Sequence, residues 1–368
     1  MESLSENKKY KIILSGGGTA GSVTPLLAMA AHLPAEAELV FFGTSDGPER
    51  QLLEECNKQG RAWRFVVCPA AKWRRYFSWK NLWDLLRLPS IFIRCFFLLK
   101  KERADIMITA GSFVSVPLAW AAFCLRLPFI VHQQDLRPGL ANCLMAPFAS
   151  LITVAFEKSL DDYGICASWL GNPEPERPSL EKYSLADFSL EEDRPLLLVT
   201  GGGNGAAAIN EIIAASREAL ISKCQIFHLA GRGKLSAPLL SDESYQEREF
   251  IDNSSLLFLM SRADLVVSRA GLGTITELAS LAKASIIIPI PDSHQEDNAA
   301  FLAYKGAALV LSQKELTPEK FQQAVFELLS SAKQRQLLAD NISHLLKPKA
   351  AETLADLSLK LIDKNRKK

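Results

Sequence analysis

Two α/β domains, each a parallel sheet wrapped in helices, are predicted by two glycine-rich turns at matching places and by the strand-and-helix rhythm that follows each. The first turn ends the run Lys11-Ile-Ile-Leu-Ser15 and reads Gly16-Gly-Gly-Thr-Ala-Gly21. The second ends Leu196-Leu-Leu-Val-Thr200 and reads Gly201-Gly-Gly-Asn-Gly205, and the first glycines of the two turns stand 185 positions apart in a chain of 368 residues. An apolar run that breaks into glycines and then into Ala-rich sequence is a strand, a tight turn and a helix start. Glycine suits that turn because the backbone must bend sharply and let a phosphate approach the N–H groups at the helix N-terminus. One such loop arises often by chance. Two, in halves of similar length, predict two Rossmann-like domains facing across a cleft, an architecture suited to nucleotide-activated substrates.

The first half reads as strands at 11–14, 39–42, 106–108, 129–132 and 151–154, with helical stretches such as 25–33, 49–59 and 116–124 between them. That alternation is the mark of a parallel sheet with helices on both faces. From Asn172 to Pro195 the composition turns to Pro-Glu-Pro-Glu-Arg-Pro and then to an acid-rich run, the natural linker. The second half repeats the rhythm with strands at 196–200, 225–229, 265–267, 285–289 and 308–311. The tail from Pro318 to Asp363 reads as helix. The expected organisation is a first domain over 1–171, a second over 172–344, and a terminal helix over 345–368 that can cross back onto the first domain.

Hydrophobic residues make up 48% of the chain and charged ones 23%, which describes a protein with a substantial core. A formal net charge of +1 argues against a nucleic-acid partner. The seven cysteines are odd in number, scattered and never in a Cys-x-x-Cys pair, which fits a reducing compartment and argues against disulfides and zinc. The polar N-terminus lacks the apolar core of a secretory signal, and no apolar stretch reaches the ~18–20 residues of a spanning helix. A cytoplasmic protein is expected.

Residues 72–103 depart from the rest, with nine basic residues against two acidic ones, a local charge of +7. Trp73, Tyr76, Phe77, Trp79, Trp83, Phe92, Phe96 and Phe97 are interleaved with those charges. Large apolar side chains beside a cationic face are what an interfacial helix uses to settle on anionic lipid. Pro89 and Arg94 interrupt the apolar run, so the expectation is a segment lying on a membrane surface rather than crossing it.

The second half carries the more specific constellation: Ser268-Arg-Ala-Gly-Leu-Gly-Thr-Ile-Thr-Glu277, then Pro289-Ile-Pro-Asp-Ser-His-Gln-Glu-Asp-Asn298-Ala299. A strand runs into a glycine turn and then a helix bearing Glu277. A carboxylate there can accept from both hydroxyls of a ribose while the helix N-terminus faces a diphosphate. The loop after the next strand offers His294, Gln295 and Asn298, neutral groups suited to sugar hydroxyls. No pair of carboxylates beside them would hold a divalent ion, so neither metal nor another cofactor is expected.

With these motifs in view, the chain resembles the MurG family, GT-B glycosyltransferases that add N-acetylglucosamine to lipid I in peptidoglycan synthesis. The resemblance runs nearly the full length. It covers the first glycine loop with Val23 and Pro25, the Ala110-Gly-Ser-Phe-Val-Ser-Val-Pro117 stretch, His132-Gln-Gln-Asp135 and Gly139-Leu-Ala-Asn142. It continues through Gly171-Asn-Pro173, the Gly201 loop ending Ala-Ile-Asn210, Phe250-Ile-Asp252 and the two motifs of the second half. It implies inverting, metal-free transfer from UDP-N-acetylglucosamine to an undecaprenyl-linked muramyl-peptide. The second domain is then expected to grip the donor, and the first to face the lipid acceptor at the cytoplasmic face of the membrane, held there peripherally. By position, Glu277 holds ribose, Gly202, Gly203 and Asn204 lie by the diphosphate and sugar, and Gln295 with His294 reads the sugar. Ile251 frames the uracil. Gly271 and Thr274, and from the first domain Thr19, Gly21 and Asn142, complete the donor set.

The chain departs from the family mainly on the acceptor side. A loop that in the family ends Gly-Gly-His here ends Ala20-Gly21-Ser22, and His-Glu-Gln-Asn becomes His132-Gln133-Gln134-Asp135. Phe113 stands for a tyrosine, Gly203 and Asn204 for Ser-Gln, and Pro175 for an arginine, with Arg177 close by. Attack by a hydroxyl needs a base within ~2.6–3.2 Å of its proton. Serine cannot serve unaided, so Asp135 is the expected base, with Ser22 beside it and His132 structural. Other readings remain. Both glycine loops match a dinucleotide fingerprint, but the second strand runs into Phe42-Gly-Thr-Ser-Asp46 with its acid displaced. That reading also leaves Glu277 and Gln295 unused. An isomerase of UDP-N-acetylglucosamine leaves the basic aromatic segment unused. A transferase with another lipid acceptor, or a non-catalytic nucleotide-sugar binder, fits the altered acceptor side.

Overall fold

The computed structural model describes residues 10–18, 20–58, 62–69, 79–175, 179–202, 206–236 and 243–367. Its chain divides into two compact units, residues 1–176 with 347–368, and residues 177–346.

The first unit begins β1 (Lys11–Ser15), α1 (Thr24–Ala31), β2 (Glu38–Gly43), α2 (Glu49–Lys58), β3 (Trp63–Val67) and α3 (Trp79–Glu102). It continues β4 (Ile106–Thr109), α4 (Ser115–Cys124), β5 (Phe129–Gln133), α5 (Leu140–Met145), β6 (Leu151–Val154) and β7 (Ala167–Trp169). All seven strands are parallel, in the order β3-β2-β1-β4-β5-β6-β7. Side chains alternate across the sheet, so Ile12 and Leu14 join the core on one face and Ile13 that on the other. A strand buried on both faces reads as an unbroken apolar run, which is why β1, β4 and β5 are legible in the sequence.

The second unit holds β8 (Leu196–Thr200), α6 (Ala207–Ile221), β9 (Gln225–Leu229), β10 (Tyr245–Arg248), α7 (Asn253–Arg262) and β11 (Leu265–Ser268). Then come α8 (Leu272–Ser280), β12 (Ser285–Ile287), α9 (His294–Tyr304), β13 (Leu309–Val310), α10 (Pro318–Ser330) and α11 (Ala332–Ser343). Its six parallel strands run β10-β9-β8-β11-β12-β13. The stretch before β8 is not bare linker. Phe188 lies in a 3₁₀ turn capped by Ser184 and Asp187, with its ring 5.8 Å from those of Phe227 and Phe258.

The last helix, α12 (Ala350–Arg366), packs in the first unit, where Leu354, Ala355 and Ile362 join Ile12, Leu14 and Leu26 in one core. Arg366 fastens its end. The Arg366 guanidinium lies over the Tyr10 ring and donates through Nη2 to Asp105 Oδ1 at 2.8 Å, while Asp105 Oδ2 accepts from the Lys11 amide. Among the described residues no helix is long and apolar enough to cross a membrane.

Three strands escape the apolar-run reading: β3, β7 and β10. Each is at the edge of its sheet, and their sequences, Trp-Arg-Phe-Val-Val, Ala-Ser-Trp and Tyr-Gln-Glu-Arg, mix polar with apolar residues: β3 and β7 are partly solvated, whereas in β10 the buried Glu247 accepts from the Ser236 amide and hydroxyl.

Candidate functional site

In each unit the strand order reverses beside the first strand, between β1 and β4 and between β8 and β11. Loops leaving adjacent strands at such a point diverge to opposite faces and open a crevice at the carboxyl ends, where ligands of open α/β sheets bind. The described parts of both glycine loops lie at these two places with Gly21, Ser22, Gly202, Gly271, Thr274 and Glu277, while Asp135 and Asn142 follow β5, Ile251 follows β10, and His294 and Gln295 follow β12.

In the first unit the loops after β1, β4 and β5 are knitted together. Ser22 closes the glycine loop on itself. Its Oγ accepts from the Gly17 amide at 3.1 Å and donates to the Gly17 carbonyl at 3.3 Å. Ser112, from the loop after β4, donates to that same carbonyl at 3.0 Å, with its own backbone at φ 113. Gln134 Nε2 ties the loop after β5 to the Ala110 carbonyl at 2.9 Å. Asp135 is half-buried in that loop, and its carbonyl accepts from Gln133 Nε2. Asn142 on α5 donates to Gln133 Oε1, and its own Oδ1 is buried without a hydrogen-bond partner, 3.2 Å from where a Cβ on Gly111 would stand. His132 is fully buried. Its Nδ1 pairs with Thr153 Oγ1 at 3.0 Å, and burial lowers its pKa to about 4, opposed by Asn172, which suits the structural part expected of it. Gly21 stands in the 3₁₀ turn with Ser22, whereas Thr19 lies outside the described residues.

One residue of this site was not singled out in the sequence. Glu49, the first residue of α2, is completely buried behind the glycine loop. Its Oε1 accepts from the amide and hydroxyl of Thr44, each at 2.5 Å. A Cβ on Gly17 would come within 2.6 Å of Oε1 and one on Gly47 within 2.0 Å of Oε2, so a side chain at either position would displace the Glu49 carboxylate from this place. The spacing of those glycines around an acid was the available signal.

The second unit gathers its residues at the ends of β8, β11 and β12. Gly202 turns at φ 79, donating from its amide to Thr200 Oγ1 at 3.2 Å, while Gly203 and Asn204 lie outside the described residues, as does Arg177. Gly271 is the N-cap of α8, an extended residue with φ −73 and ψ 141, followed by Thr274 and Glu277 on the helix. The α9 segment is bound to this helix start. Asn298 Nδ2 donates to the Ala270 carbonyl at 3.1 Å, and Gln295 Nε2 comes 4.0 Å from a Cβ position on Gly271. Ser293 caps α9 by accepting from the Gln295 amide, and Gln295 Oε1 accepts from Ile290 N, both at 3.2 Å. His294 is exposed at the first position of α9. Ile251 precedes Asp252, which caps α7, and the Ser255 hydroxyl and amide hold that carboxylate below its usual range.

Arg269 was quoted in the motif but given no part. It is nearly buried, with Nη1 donating to the carbonyls of Ile288 at 2.9 Å and Pro289 at 3.0 Å, and burial pulls its pKa down. It therefore ties the end of β11 to the loop that carries Gln295. The arrangement in this unit offers backbone N–H groups and the positive end of a helix dipole for an anion, a carboxylate one and a half turns further on for a diol, and amides for hydroxyls.

Comparison with known proteins gives these two sites a context. Residues 12–154 match the glycosyltransferase family 28 N-terminal domain and residues 196–354 the glycosyltransferase family 28 C-terminal domain. A UDP-N-acetylglucosamine–N-acetylmuramyl-(pentapeptide) pyrophosphoryl-undecaprenol N-acetylglucosamine transferase from Shouchella clausii is 36% identical over 86% of this chain and 90% of its own length. Its counterpart from Clostridium novyi is 32% identical over 98% of this chain and 99% of its own. Among solved structures, Acinetobacter baumannii MurG superposes with a TM-score of 0.76 at 25% identity, covering 95% of this chain and 99% of that one.

Proposed function

The chain belongs to the MurG family of glycosyltransferases, and from that premise we propose how its two sites divide the work of transfer. It is an N-acetylglucosaminyltransferase of peptidoglycan synthesis, moving N-acetylglucosamine from UDP-N-acetylglucosamine to the muramyl-pentapeptide of undecaprenyl-diphosphate-linked lipid I. The second unit holds the donor. The N-terminus of α8 at Gly271 and Thr274, with the Gly202 turn, receives the diphosphate; Glu277 accepts from the ribose hydroxyls; Ile251 borders the uracil; Gln295 and His294 meet the sugar. Supporting this division, the start of α8 and the start of α9 are tied to the ends of β11 and β12 by Asn298, Gln295 and Arg269.

The first unit supplies the acceptor side. The acceptor hydroxyl attacks the anomeric carbon, its bond to the diphosphate oxygen breaks, and UDP leaves with inversion. Asp135 takes the hydroxyl proton, Ser22 holds the glycine loop closed beside it, and the unpartnered Oδ1 of Asn142 waits for a donor from substrate. General-base assistance of this kind is worth about 10²–10⁴-fold.

The same unit meets the membrane through the surface of α3, α4 and α5. Along α3, Ile91, Cys95 and Leu99 face the core, whereas Ile93 and Phe97 are 54% and 62% exposed. Phe123 at the end of α4 stands 5.0 Å, ring to ring, from Phe148, and Leu140 and Leu144 of α5 are exposed as well. Exposed Arg87, Arg94, Lys100, Lys101 and Arg126 accompany them. Apolar side chains among cations match an anionic bilayer surface and support a peripheral position on the cytoplasmic face. Residues 70–78, which contain Trp73, Arg74, Arg75, Tyr76 and Phe77, lie outside the described residues, as do the side chains of Trp79, Lys80 and Trp83.

The observation that carries the activity is family membership over almost the entire chain. The test is direct. Purified protein with UDP-N-acetylglucosamine and synthetic lipid I should form lipid II and release UDP. Binding of the donor with no turnover on lipid I, but turnover on another polyprenyl-linked sugar, would reassign the acceptor.

A further inference from the structure

Gln133, the last residue of β5, is 1% exposed and stands two positions before Asp135. Both atoms of its amide are committed. Nε2 donates to the carbonyls of Asp135 at 2.7 Å and Arg137 at 2.8 Å. Oε1 accepts from Asn142 Nδ2 and, at 3.3 Å, from Tyr163 Oη. Chemistry fixes the orientation, since the reversed amide would set its oxygen against two carbonyl oxygens and its NH₂ against two donors. A primary amide alone among uncharged side chains offers two protons on one atom and an acceptor on the next. The family's glutamate at this position stands in a motif that ends in asparagine; in this chain, whose motif ends in Asp135, an ionised carboxylate would have no proton to give and would turn its lone pairs on the two carbonyls that Gln133 now holds.

We infer that Gln133 is a positioning residue for the transfer: its two N–H groups draw the Asp135 and Arg137 carbonyls inward and so set the backbone from which the Asp135 carboxylate projects. This rests on the reading of Asp135 as the group that takes the acceptor proton. Asn142 and Tyr163 in turn hold the Gln133 oxygen, so α5 and the segment after β6 steady the same loop. The ionisable groups around this network are Asp135 and Arg137 in the loop, Cys143 on α5, and Tyr163 with its neighbour Asp162. Burial pushes the Tyr163 hydroxyl up, so it keeps its proton throughout the working range.

The experiment compares wild type, Gln133→Glu, Gln133→Met and Asp135→Asn. It records kcat and KM for UDP-N-acetylglucosamine with lipid I from mildly acidic to mildly alkaline pH, and thermal unfolding at each pH. A buried carboxyl favours its neutral form, which can donate one hydrogen bond, whereas its ionised form repels both carbonyls. The ratio of Gln133→Glu to wild-type kcat should therefore be highest at the acid end and fall as pH rises, reaching a deficit of about 10²-fold, the usual cost of a misplaced catalytic group. Taking the ratio removes any pH dependence that the two enzymes share. KM for the donor should change by a smaller factor than kcat, because most of the donor residues lie in the other unit and only Asn142 of that set bonds Gln133. Gln133→Met should lose kcat by a factor that does not change with pH, which keeps the test alive if Gln133→Glu fails to fold. A flat ratio for Gln133→Glu, wild-type kcat in Gln133→Met, or losses that only follow the unfolding temperature overturn the inference while Asp135→Asn remains inactive. If Asp135→Asn is fully active, the reading of Asp135 falls and takes the inference with it.

Discussion

Gln295 Nε2 lies 4.0 Å from the point where a Cβ on Gly271 would stand, so the first turn of α9 closes over the N-cap of α8. The two positions follow neighbouring strands, β11 and β12, and neither is free to drift. Ile290 N holds Gln295 Oε1 at 3.2 Å, and Asn298 holds the Ala270 carbonyl at 3.1 Å. The head of α8 and the start of α9, the places proposed for a ligand's diphosphate and sugar, therefore form one corner.

From that corner we expect Glu277→Ala to weaken UDP binding by roughly 1–3 kcal/mol, the cost of leaving ribose hydroxyls without their acceptor. Titration calorimetry with UDP gives the number directly. An unchanged affinity would remove Glu277 from the donor site.

On the acceptor side, Asp135→Asn should lower kcat about 10²–10⁴-fold with the KM for UDP-N-acetylglucosamine nearly unchanged, because an interaction made only in the transition state is lost. Ser22→Ala should cost less, since the Ser22 hydroxyl bonds the amide and carbonyl of Gly17. Steady-state kinetics on lipid I decide it. Full turnover in Asp135→Asn together with none in Ser22→Ala would reverse the assignment.

For the surface of α3, reversing Arg87, Arg94 and Lys101 to Glu removes three cations, each contributing about 1 kcal/mol beside an anionic bilayer. Flotation on vesicles rich in anionic lipid should fall by more than tenfold, and exchanging Ile93 and Phe97 for Ser should lower recovery at every lipid composition. Equal wild-type recovery on neutral and anionic vesicles would leave the basic residues as ordinary solvated charge.

Stability should fall on mild acidification. Burial lowers both His132 in β5 and His228 in β9 to about 4, from an ordinary 6.5. The unfolded chain takes up these protons near pH 6.5 and the native one only near 4, so between those values the unfolded state binds more protons and is favoured as pH drops. The contribution is complete above pH 6.5 and lost by about pH 4, up to about 3 kcal/mol for each ring at 1.36 kcal/mol per unit. Carboxylates held low, such as Asp252, release their share only below that window. Denaturant unfolding at several pH values checks it, and His228→Gln should flatten the slope for the second unit. An undiminished slope in that variant would assign the effect elsewhere.

How much was legible in the sequence follows from what each residue's neighbours are. Central strands such as Ile106–Thr109 stand out because both faces are buried and the run is apolar throughout. The edge strands β3 and β7 do not, because much of their surface meets solvent and a residue such as Arg64 can sit there, and β10 does not because its buried Glu247 is satisfied by Ser236. The residues proposed for the donor could be picked out as a constellation because helix starts and strand ends lie next to their motifs in sequence. Glu49, Gln133 and Ser112 were not, because what they do is set by partners far along the chain or by a backbone turn. Ser112 reaches the carbonyl of Gly17 across 95 positions, and Gln133 reaches Tyr163 across 30. Arg269 shows the same limit, as its two carbonyl partners lie 19 and 20 positions on.

The packing of α12 against Ile12 and Leu14 has a consequence for how the protein is made. The first unit is encoded in two pieces, and the second piece, residues 347–368, leaves the ribosome only after the whole of the second unit. At about 5–20 residues per second, the face of the first sheet that α12 covers waits on the order of ten seconds or more after β7 has been synthesised. During that interval the intervening unit can already be folded, while a strip of Ile, Leu and Ala side chains in the first unit still faces water. Emergence of α12, rather than of the N-terminal strands, therefore times completion of the first unit. A stop codon placed just before Ala350 should yield a protein whose second unit still resists protease while its first unit is digested.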